Sequence, residues 1–205
     1  MEAFTTLSAI AVPLDEANID TNQLCPTRFN KLPDGPEMAS VLFHDLRFDS
    51  DGEERPEFIL NRLPYRNAGI IVADRNFGCG SSRESAVYAL KAFGIRAVIA
   101  PSFGDIFAGN CFRNGLLPVV VPDTTAMRQQ IHAEVGAAIG IDLPAQIVTG
   151  PDGIATRFDI HPLRKQCLVE GLDDIRLTIG YRDRIAAFEK QHHAARPYLA
   201  PIRGM

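Results

Sequence analysis

The sequence lacks the patterns that mark several large classes of protein. No apolar run reaches the roughly 18 residues that a transmembrane helix needs, so we expect no such helix. The N-terminal stretch carries Glu2 and no basic cluster, which is not typical of a signal peptide, and we expect a cytoplasmic protein. Lys and Arg number 21 against 25 Asp and Glu, so no basic excess is available to neutralise nucleic-acid phosphates.

Cysteine is also scarce, and the sequence contains no Cys-x-x-Cys pair. The four cysteines are widely spaced: Cys25, Cys79, Cys111 and Cys167. This spacing resembles neither a zinc knuckle nor an iron–sulfur ligand set. We therefore expect four reduced thiols and no metal bound by this chain.

What the sequence does contain is typical of a globular protein. Its 205 residues are 46% hydrophobic and 22% charged, which predicts a single domain with a core large enough to fold without a disulfide or a metal. Residues 30–68 are rich in charge and proline and predict a long loop excursion with little core of its own. Residues 181–205 predict a closing helix and tail, with Ile185, Phe188 and Ala186 on the apolar face of the helix.

Residues 69–122 are the most regular part of the chain. Apolar runs predict strands at 69–72, 96–100 and 116–121, with helices between them at about 82–93 and 105–113. Ser81 followed by Glu84 matches the capping box, so we expect Ser81 to be the N-cap of the first of these helices. Three strands joined by two helices in about 50 residues predict an α/β fold with a parallel βαβ core.

The segment NFGCGSSRE, from Asn76 to Glu84, lies where a buried strand turns into a helix. Gly78 and Gly80 permit close backbone approach, the unpaired amides of a helix N-terminus attract anions, and Arg83 can grip a carboxylate with two hydrogen bonds. The segment is not a dinucleotide fingerprint, because Arg83 fills the third glycine position, and it is neither a phosphate loop nor a hydrolase elbow. These residues alone leave two interpretations open, a carboxylate or phosphate site and a capped structural turn.

The same segment, followed by RAVIAPSFGDIFAGNCFRNGLLPV, resembles the family of 3-isopropylmalate dehydratase small subunits, the swivelling domain of the aconitase superfamily. The resemblance extends to NIDTNQLCPTRF near the N-terminus and to GLDDIRLTIGYRDRIAAFE near the end. It implies a three-layer β/β/α swivelling domain. It also implies that Ser81 is the catalytic base and that Ser82 and Arg83 bind a substrate carboxylate.

The resemblance further implies a hydro-lyase that interconverts 2-isopropylmalate and 3-isopropylmalate in leucine biosynthesis. In this family a 4Fe–4S cluster belongs to the large subunit, so we expect no cofactor on this chain and activity only in the heteromer. The chemistry agrees with that expectation. The leaving hydroxyl needs a Lewis acid, which no pattern in this sequence supplies, and the carbanion formed beside a carboxylate needs positive groups around it.

Further residues are candidates for substrate binding, and two positions depart from the family pattern. The candidates flank the motif or belong to the N-terminal segment: Asp20, Thr21, Asn22, Arg28, Cys79 and Gly80. Residues 20–22 are also typical of a plain turn, Arg28 of a solvated surface arginine, and Cys79 of a small residue in a tight turn. Asn22 replaces a family aspartate and Ser85 a family histidine. These departures leave two alternatives open: a related hydro-lyase for citraconate, 2-methylmalate or dimethylmalate, and a non-catalytic carboxylate-binding module.

Overall fold

The computed structural model describes residues 1–80, 84–196 and 198. Within these residues the strands are β1 (Thr6–Leu14), β2 (Ile70–Ala73), β3 (Ala97–Ala100), β4 (Leu117–Val120), β5 (Ala138–Asp142), β6 (Ile147–Thr149) and β7 (Ala155–Arg157). The α-helices are α1 (Thr21–Leu24), α2 (His44–Arg47), α3 (Ser85–Phe93), α4 (Asp105–Asn114), α5 (Thr125–Ala133), α6 (Pro162–Glu170), α7 (Asp174–Ile179) and α8 (Arg182–Ala195).

The strands form one mixed sheet in the order β4-β3-β2-β1-β5-β6-β7. Strands β1 to β4 pair in parallel, and β5, β6 and β7 continue the sheet in antiparallel pairs. All residues of β2 and β3 are buried, as expected for parallel strands covered on both faces. The prediction of a parallel βαβ core in residues 69–122 is therefore confirmed.

Strand β1 joins the two halves of the sheet. Its first part, Thr6–Ile10, pairs antiparallel with β5, whereas Ala11–Leu14 pairs in parallel with β2. The carboxyl ends of β1, β2 and β3 lie at one edge, where ligands bind in open α/β sheets. Isolated bridges between Asp20 and Cys79 and between Phe77 and Phe103 join the loops that leave this edge.

The segment between α1 and β2 has more core than we expected from its charge. Met38, Leu42, Phe43 and Leu60 are at most 1% exposed. Arg47 is buried among them, and its Nε donates to Oδ1 of Asn61 at 2.9 Å. Burial lowers the pKa of the Arg47 guanidinium. The expectation of an excursion with little core was wrong, because a few apolar anchors and one satisfied arginine hold this segment against the sheet domain.

Helices α3 and α8 follow the prediction only in part. Helix α3 begins at Ser85, with Glu84 in the N-cap position and no side-chain capping bond. The expected helix start near Ser82 and the expected N-cap Ser81 lie outside the described residues. The carboxylate of Glu84, which the capping box would pair with Ser81, binds Tyr88 and Asn114. The C-terminal helix forms as predicted, but the side chains of Ile185 and Phe188 are exposed.

No described helix combines the length and the apolar character needed to cross a bilayer.

Candidate active site

The glycine-rich loop leaves the carboxyl end of β2 and leads into α3. Its described part is Asn76–Gly80 on one side and Glu84 on the other. Ser81, Ser82 and Arg83, the predicted base and carboxylate-binding residues, lie outside the described residues. Their roles therefore stay predictions, and the geometry of the site is described by what surrounds them.

The N-terminal side of the loop is fixed by backbone bonds to the segment that precedes α1. The Gly78 amide donates to the Ile19 carbonyl at 2.7 Å, and the Thr21 amide donates to the Cys79 carbonyl at 2.9 Å. The Cys79 thiol donates to the Asn18 carbonyl at 3.3 Å. The structure thus brings together two candidate segments, 20–22 and 79–80, that are about 60 residues apart in sequence.

Asp20 is the N-cap of α1. Its Oδ1 accepts from the amides of Asn22 at 2.7 Å and Gln23 at 2.8 Å, and the Gln23 side chain accepts from the Asp20 amide at 2.8 Å. This is a complete capping box. The side chain of Asn22 accepts a 2.8 Å hydrogen bond from the Thr27 hydroxyl. The predicted turn role of these residues is therefore present in the structure, and their contact with substrate stays a prediction.

The close approach that we predicted for the glycines is found at Gly78. Its φ is +71°, and a Cβ placed on it would lie 2.3 Å from Cγ of Phe107. On the other side, a Cβ on Gly104 would lie 2.5 Å from the Gly78 carbonyl oxygen. Two glycines therefore let the loop pack directly on the start of α4. The rings of Phe77 and Phe107, 5.6 Å apart, support the loop from the core.

The C-terminal side of the loop is fixed through the Glu84 carboxylate. The Tyr88 hydroxyl donates to Glu84 Oε2 at 2.7 Å, and the Asn114 amide donates to Oε1 at 3.4 Å. Because the phenol donates to a carboxylate, the pKa of Tyr88 is raised to about 12. Neither partner of Glu84 was predicted from the sequence. The i, i+4 spacing of Glu84 and Tyr88 on one helix was the available signal.

A polar cavity of about 150 Å³ lies beside the loop. Its lining combines α1, the segment after it and the first turn of α3: Thr21, Asn22, Cys25, Thr27, Asn30, Ser85 and Ala86. The Ser85 hydroxyl donates to Asn30 Oδ1 at 2.7 Å. Burial raises the pKa of the neighbouring Cys25 thiol. Thr21, Asn22 and Ser85 were singled out from the sequence, whereas Cys25, Thr27 and Asn30 were not.

Arg28 lies outside this cavity and binds a carboxylate of the protein itself. Its Nη1 donates to Asp45 Oδ2 at 2.9 Å, and its Nη2 donates to Asp45 Oδ1. The pair raises the pKa of Arg28 and lowers that of Asp45. The guanidinium has the bidentate geometry suited to a carboxylate, but in this structure Asp45 occupies it.

Arg128 of α5 connects the ends of the two central strands. Its Nε lies 3.4 Å from Asp15 Oδ1, and its Nη1 lies 3.4 Å from Asp74 Oδ2. The pKa of Asp74 is lowered, mainly by the hydrogen bond from the Arg75 amide. Asp15 follows β1 and Asp74 follows β2, so this buried arginine forms ion pairs with both strand ends at the edge from which the loop leaves, although its Nε and Nη1 make no hydrogen bond among the described residues. The sequence analysis did not identify it.

The described residues contain no group of three or more His, Cys, Asp or Glu side chains that could hold a metal ion. The four cysteines are free thiols.

Comparison with known proteins gives three family matches along the chain. Residues 1–124 match the aconitase C-terminal domain, and residues 125–162 match the family described as LeuD_N. Residues 174–202 match the C-terminal domain of the 3-isopropylmalate dehydratase small subunit.

Curated relatives match over nearly the full length of both chains. The 3-isopropylmalate dehydratase small subunit of Paramagnetospirillum magneticum is 47% identical over 201 residues, covering 97% of this chain and 100% of the relative. That of Phenylobacterium zucineum is 50% identical, with coverages of 97% and 98%. The crystal structure of a 3-isopropylmalate dehydratase from Methanocaldococcus jannaschii is similar at 27% identity and a TM-score of 0.62, covering 90% of this chain and 99% of that one.

Proposed function

The chain belongs to the family of 3-isopropylmalate dehydratase small subunits, and from this premise we propose that it is the small subunit of a hydro-lyase that interconverts 2-isopropylmalate and 3-isopropylmalate in leucine biosynthesis. The observation that carries the proposal is the full-length identity of about 47% to small subunits of this enzyme. The comparisons do not favour the two alternatives, a hydro-lyase that acts on another hydroxyacid and a non-catalytic carboxylate-binding module.

The reaction moves a hydroxyl group between neighbouring carbons. A proton leaves the carbon next to a carboxylate, hydroxide leaves the adjacent carbon, and water then adds with the opposite orientation. We propose that the Ser81 oxygen takes the proton and that Ser82 and Arg83 hold the carboxylate. A serine is a weak base, so its alkoxide needs a positive field, and Arg83 with the amides around Gly80 would supply it.

The framework of described residues supports this assignment from both sides. The loop is held before Ser81 by the bonds to Ile19 and Thr21, and after Arg83 by the bonds to Glu84. Such anchoring fixes both ends of the loop, as a preorganised site requires. The further candidates Asp20, Asn22 and Cys79 lie in the strand-edge segments that form this framework.

The small-subunit relatives imply a large partner subunit for this chain. We propose that this partner carries the 4Fe–4S cluster of the family and that the cluster supplies the Lewis acid for the leaving hydroxyl. The described residues do not fit such a cluster, since their cysteines are apart and no metal-ligating group is formed. We also propose a cytoplasmic location, where free thiols such as those of this chain persist.

Replacement of Ser81 by alanine in the reconstituted heteromer tests the proposal. Turnover of 3-isopropylmalate should fall by about 10²–10⁴-fold, the range for loss of a general base. The matched control is Ser50→Ala, because Ser50 is exposed on a turn outside the glycine-rich loop. Gel filtration must show that both variants still assemble with the large subunit. Undiminished turnover of an assembled Ser81→Ala enzyme would disprove the role of Ser81, and turnover by the small subunit alone would disprove the need for a partner.

A further inference from the structure

Helix α8 exposes large apolar side chains, and none of its residues is buried by the part of the chain that the structure describes. Every residue from Tyr181 to Gln191 is exposed. Ile185 is 40% and Phe188 64% exposed, and Ile179 just before the helix is 60% exposed. A helix of 14 residues is marginal in water when isolated, and a cluster of exposed apolar side chains is typical of an interaction site.

The spacing of these side chains fits a second helix. Tyr181, Ile185, Phe188 and His192 follow one another at intervals of 4, 3 and 4 residues, which is the a/d pattern of a coiled-coil seam. The rings of Phe188 and His192 stack at 5.5 Å, so neighbouring seam residues already form one continuous strip. A narrow strip of this kind complements a helix rather than a flat surface.

The charges beside the seam are complementary to those of a second copy of this chain. Arg182 and Glu189 both lie at the e positions next to the seam, and neither has an ion-pair partner among the described residues. When two copies of α8 run antiparallel, e positions face e positions, so Arg182 of each copy faces Glu189 of the other. A parallel pair would instead place Arg184 of each copy, at the g position, against Glu189 of the other, so exchange of the charges at Arg182 and Glu189 distinguishes the two arrangements.

We propose that α8 is a self-association surface through which two copies of this chain pair as antiparallel helices. The two-fold axis passes between Ala186 and Ala187, so that Ile185 of one copy packs on Phe188 of the second copy and Tyr181 packs on His192. This places the contact in the C-terminal segment, away from the loop edge of the sheet domain. The inference is independent of the proposed catalytic function.

Sedimentation equilibrium of the purified full chain tests the proposal. The wild type should change from a species of 22.5 kDa to one of twice that mass as its concentration rises through the micromolar range. Phe188→Ser and Arg182→Glu should each raise the dissociation constant by about tenfold or more. The double variant Arg182→Glu/Glu189→Arg should restore it, because the ion pair is re-formed with reversed charges. Lys190→Glu is the matched control, since Lys190 lies on the opposite face and should leave the dimer intact.

Three results would overturn the proposal. The first is a wild type that stays monomeric over the whole concentration range. The second is failure of the charge-reversed double variant to recover the affinity lost in Arg182→Glu. The third is a monomeric small subunit in which Phe188→Ser weakens binding to the large subunit, which would assign the face to the heteromeric contact instead. Because turnover of the reconstituted enzyme is measured separately, failure here is distinguishable from failure of the proposed function.

Discussion

The hydroxyl of Ser85 donates a 2.7 Å hydrogen bond to Asn30, a residue 55 positions earlier in the chain. This bond joins the first turn of α3 to the segment after α1, and both residues line the cavity beside the glycine-rich loop. Ser85 is only 8% exposed, so its hydroxyl needs partners within the protein, and Asn30 and the Cys25 thiol supply them. Ser85 is therefore a small residue that connects two walls of the cavity.

We expect the Ser85–Asn30 bond to show coupling in a double-mutant cycle. Ser85→Ala and Asn30→Ala should each destabilise the chain by about 1 kcal/mol, and the double variant should lose less than the sum by a similar amount. Urea denaturation of the four proteins measures the free energies of unfolding. Strict additivity would show that the two side chains do not stabilise each other in solution.

Two glycines on either side of the start of α4 should respond in opposite ways to alanine. A Cβ on Gly104 would meet the Gly78 carbonyl oxygen at 2.5 Å and Cα of Cys79 at 3.1 Å, so the loop must move. We expect Gly104→Ala to destabilise the chain by about 1–3 kcal/mol and to reduce turnover of the heteromer. Gly109→Ala, with no neighbouring atom within 4 Å, should instead stabilise the helix by up to about 1 kcal/mol.

Urea denaturation and assays of the heteromer distinguish these outcomes. Equal effects of the two substitutions on stability would show that the close packing of Gly104 on the loop is not maintained in solution.

The phenol of Tyr88 should lose its proton only at strongly alkaline pH. Its pKa is raised to about 12 in the folded chain, against about 10 for a free tyrosine, chiefly because it donates to Glu84. Its contribution to stability is therefore fully present below about pH 10 and is lost as the pH rises through about 12. Absorbance of the phenolate is easy to follow in a chain that has no tryptophan.

Tyr88→Phe should remove the ionisation near pH 12 and lower turnover, since Glu84 loses its hydrogen bond beside the loop. Tyr65→Phe is the control, because the Tyr65 hydroxyl donates to the Ile131 carbonyl of α5 at 3.2 Å, and turnover should not change. A Tyr88→Phe enzyme with full activity would show that the anchor at Glu84 is not needed for catalysis.

Asp45 should compete with substrate for Arg28 if Arg28 is a substrate ligand. Asp45→Asn then frees the guanidinium, and KM should fall by up to about fivefold, the equivalent of an exposed ion pair. Glu54→Gln removes a similar carboxylate from Arg66, which lies in the same excursion, and should leave KM unchanged. Equal KM values for both variants and the wild type would identify Arg28 as a surface arginine without a role in binding.

Periodic patterns in the sequence predicted the parallel core well. The strands at 70–73 and 97–100 are wholly buried, so they consist of unbroken apolar runs that are easily recognised. The bonds that organise the site could not be read in this way. Ser85 with Asn30, and Arg128 with Asp15 and Asp74, join residues that are far apart in sequence, and only the folded sheet brings them together.

In the excursion of residues 30–68, the prediction failed because the local composition was misleading. Its charges and prolines predict a loop, and they hide the few apolar residues that anchor it, such as Met38 and Leu60. A buried Arg47 cannot be foreseen from composition, because its burial depends on the carbonyl and amide acceptors around it, including Asn61. Local composition reports the average solvation of a segment and not which of its side chains find partners.

The double pairing of β1 limits where the chain can be shortened. Loss of β5 would leave five consecutive positions of β1, from Thr6 to Ile10, without a neighbouring strand. Such an open edge recruits strands from other molecules and promotes aggregation. The match to the aconitase C-terminal domain ends at residue 124, before β5 begins. A truncation placed at that boundary would therefore leave this edge open and favour aggregation, and an autonomous piece must extend through α6, whose Leu168 is fully buried and accepts a hydrogen bond from the Phe4 amide.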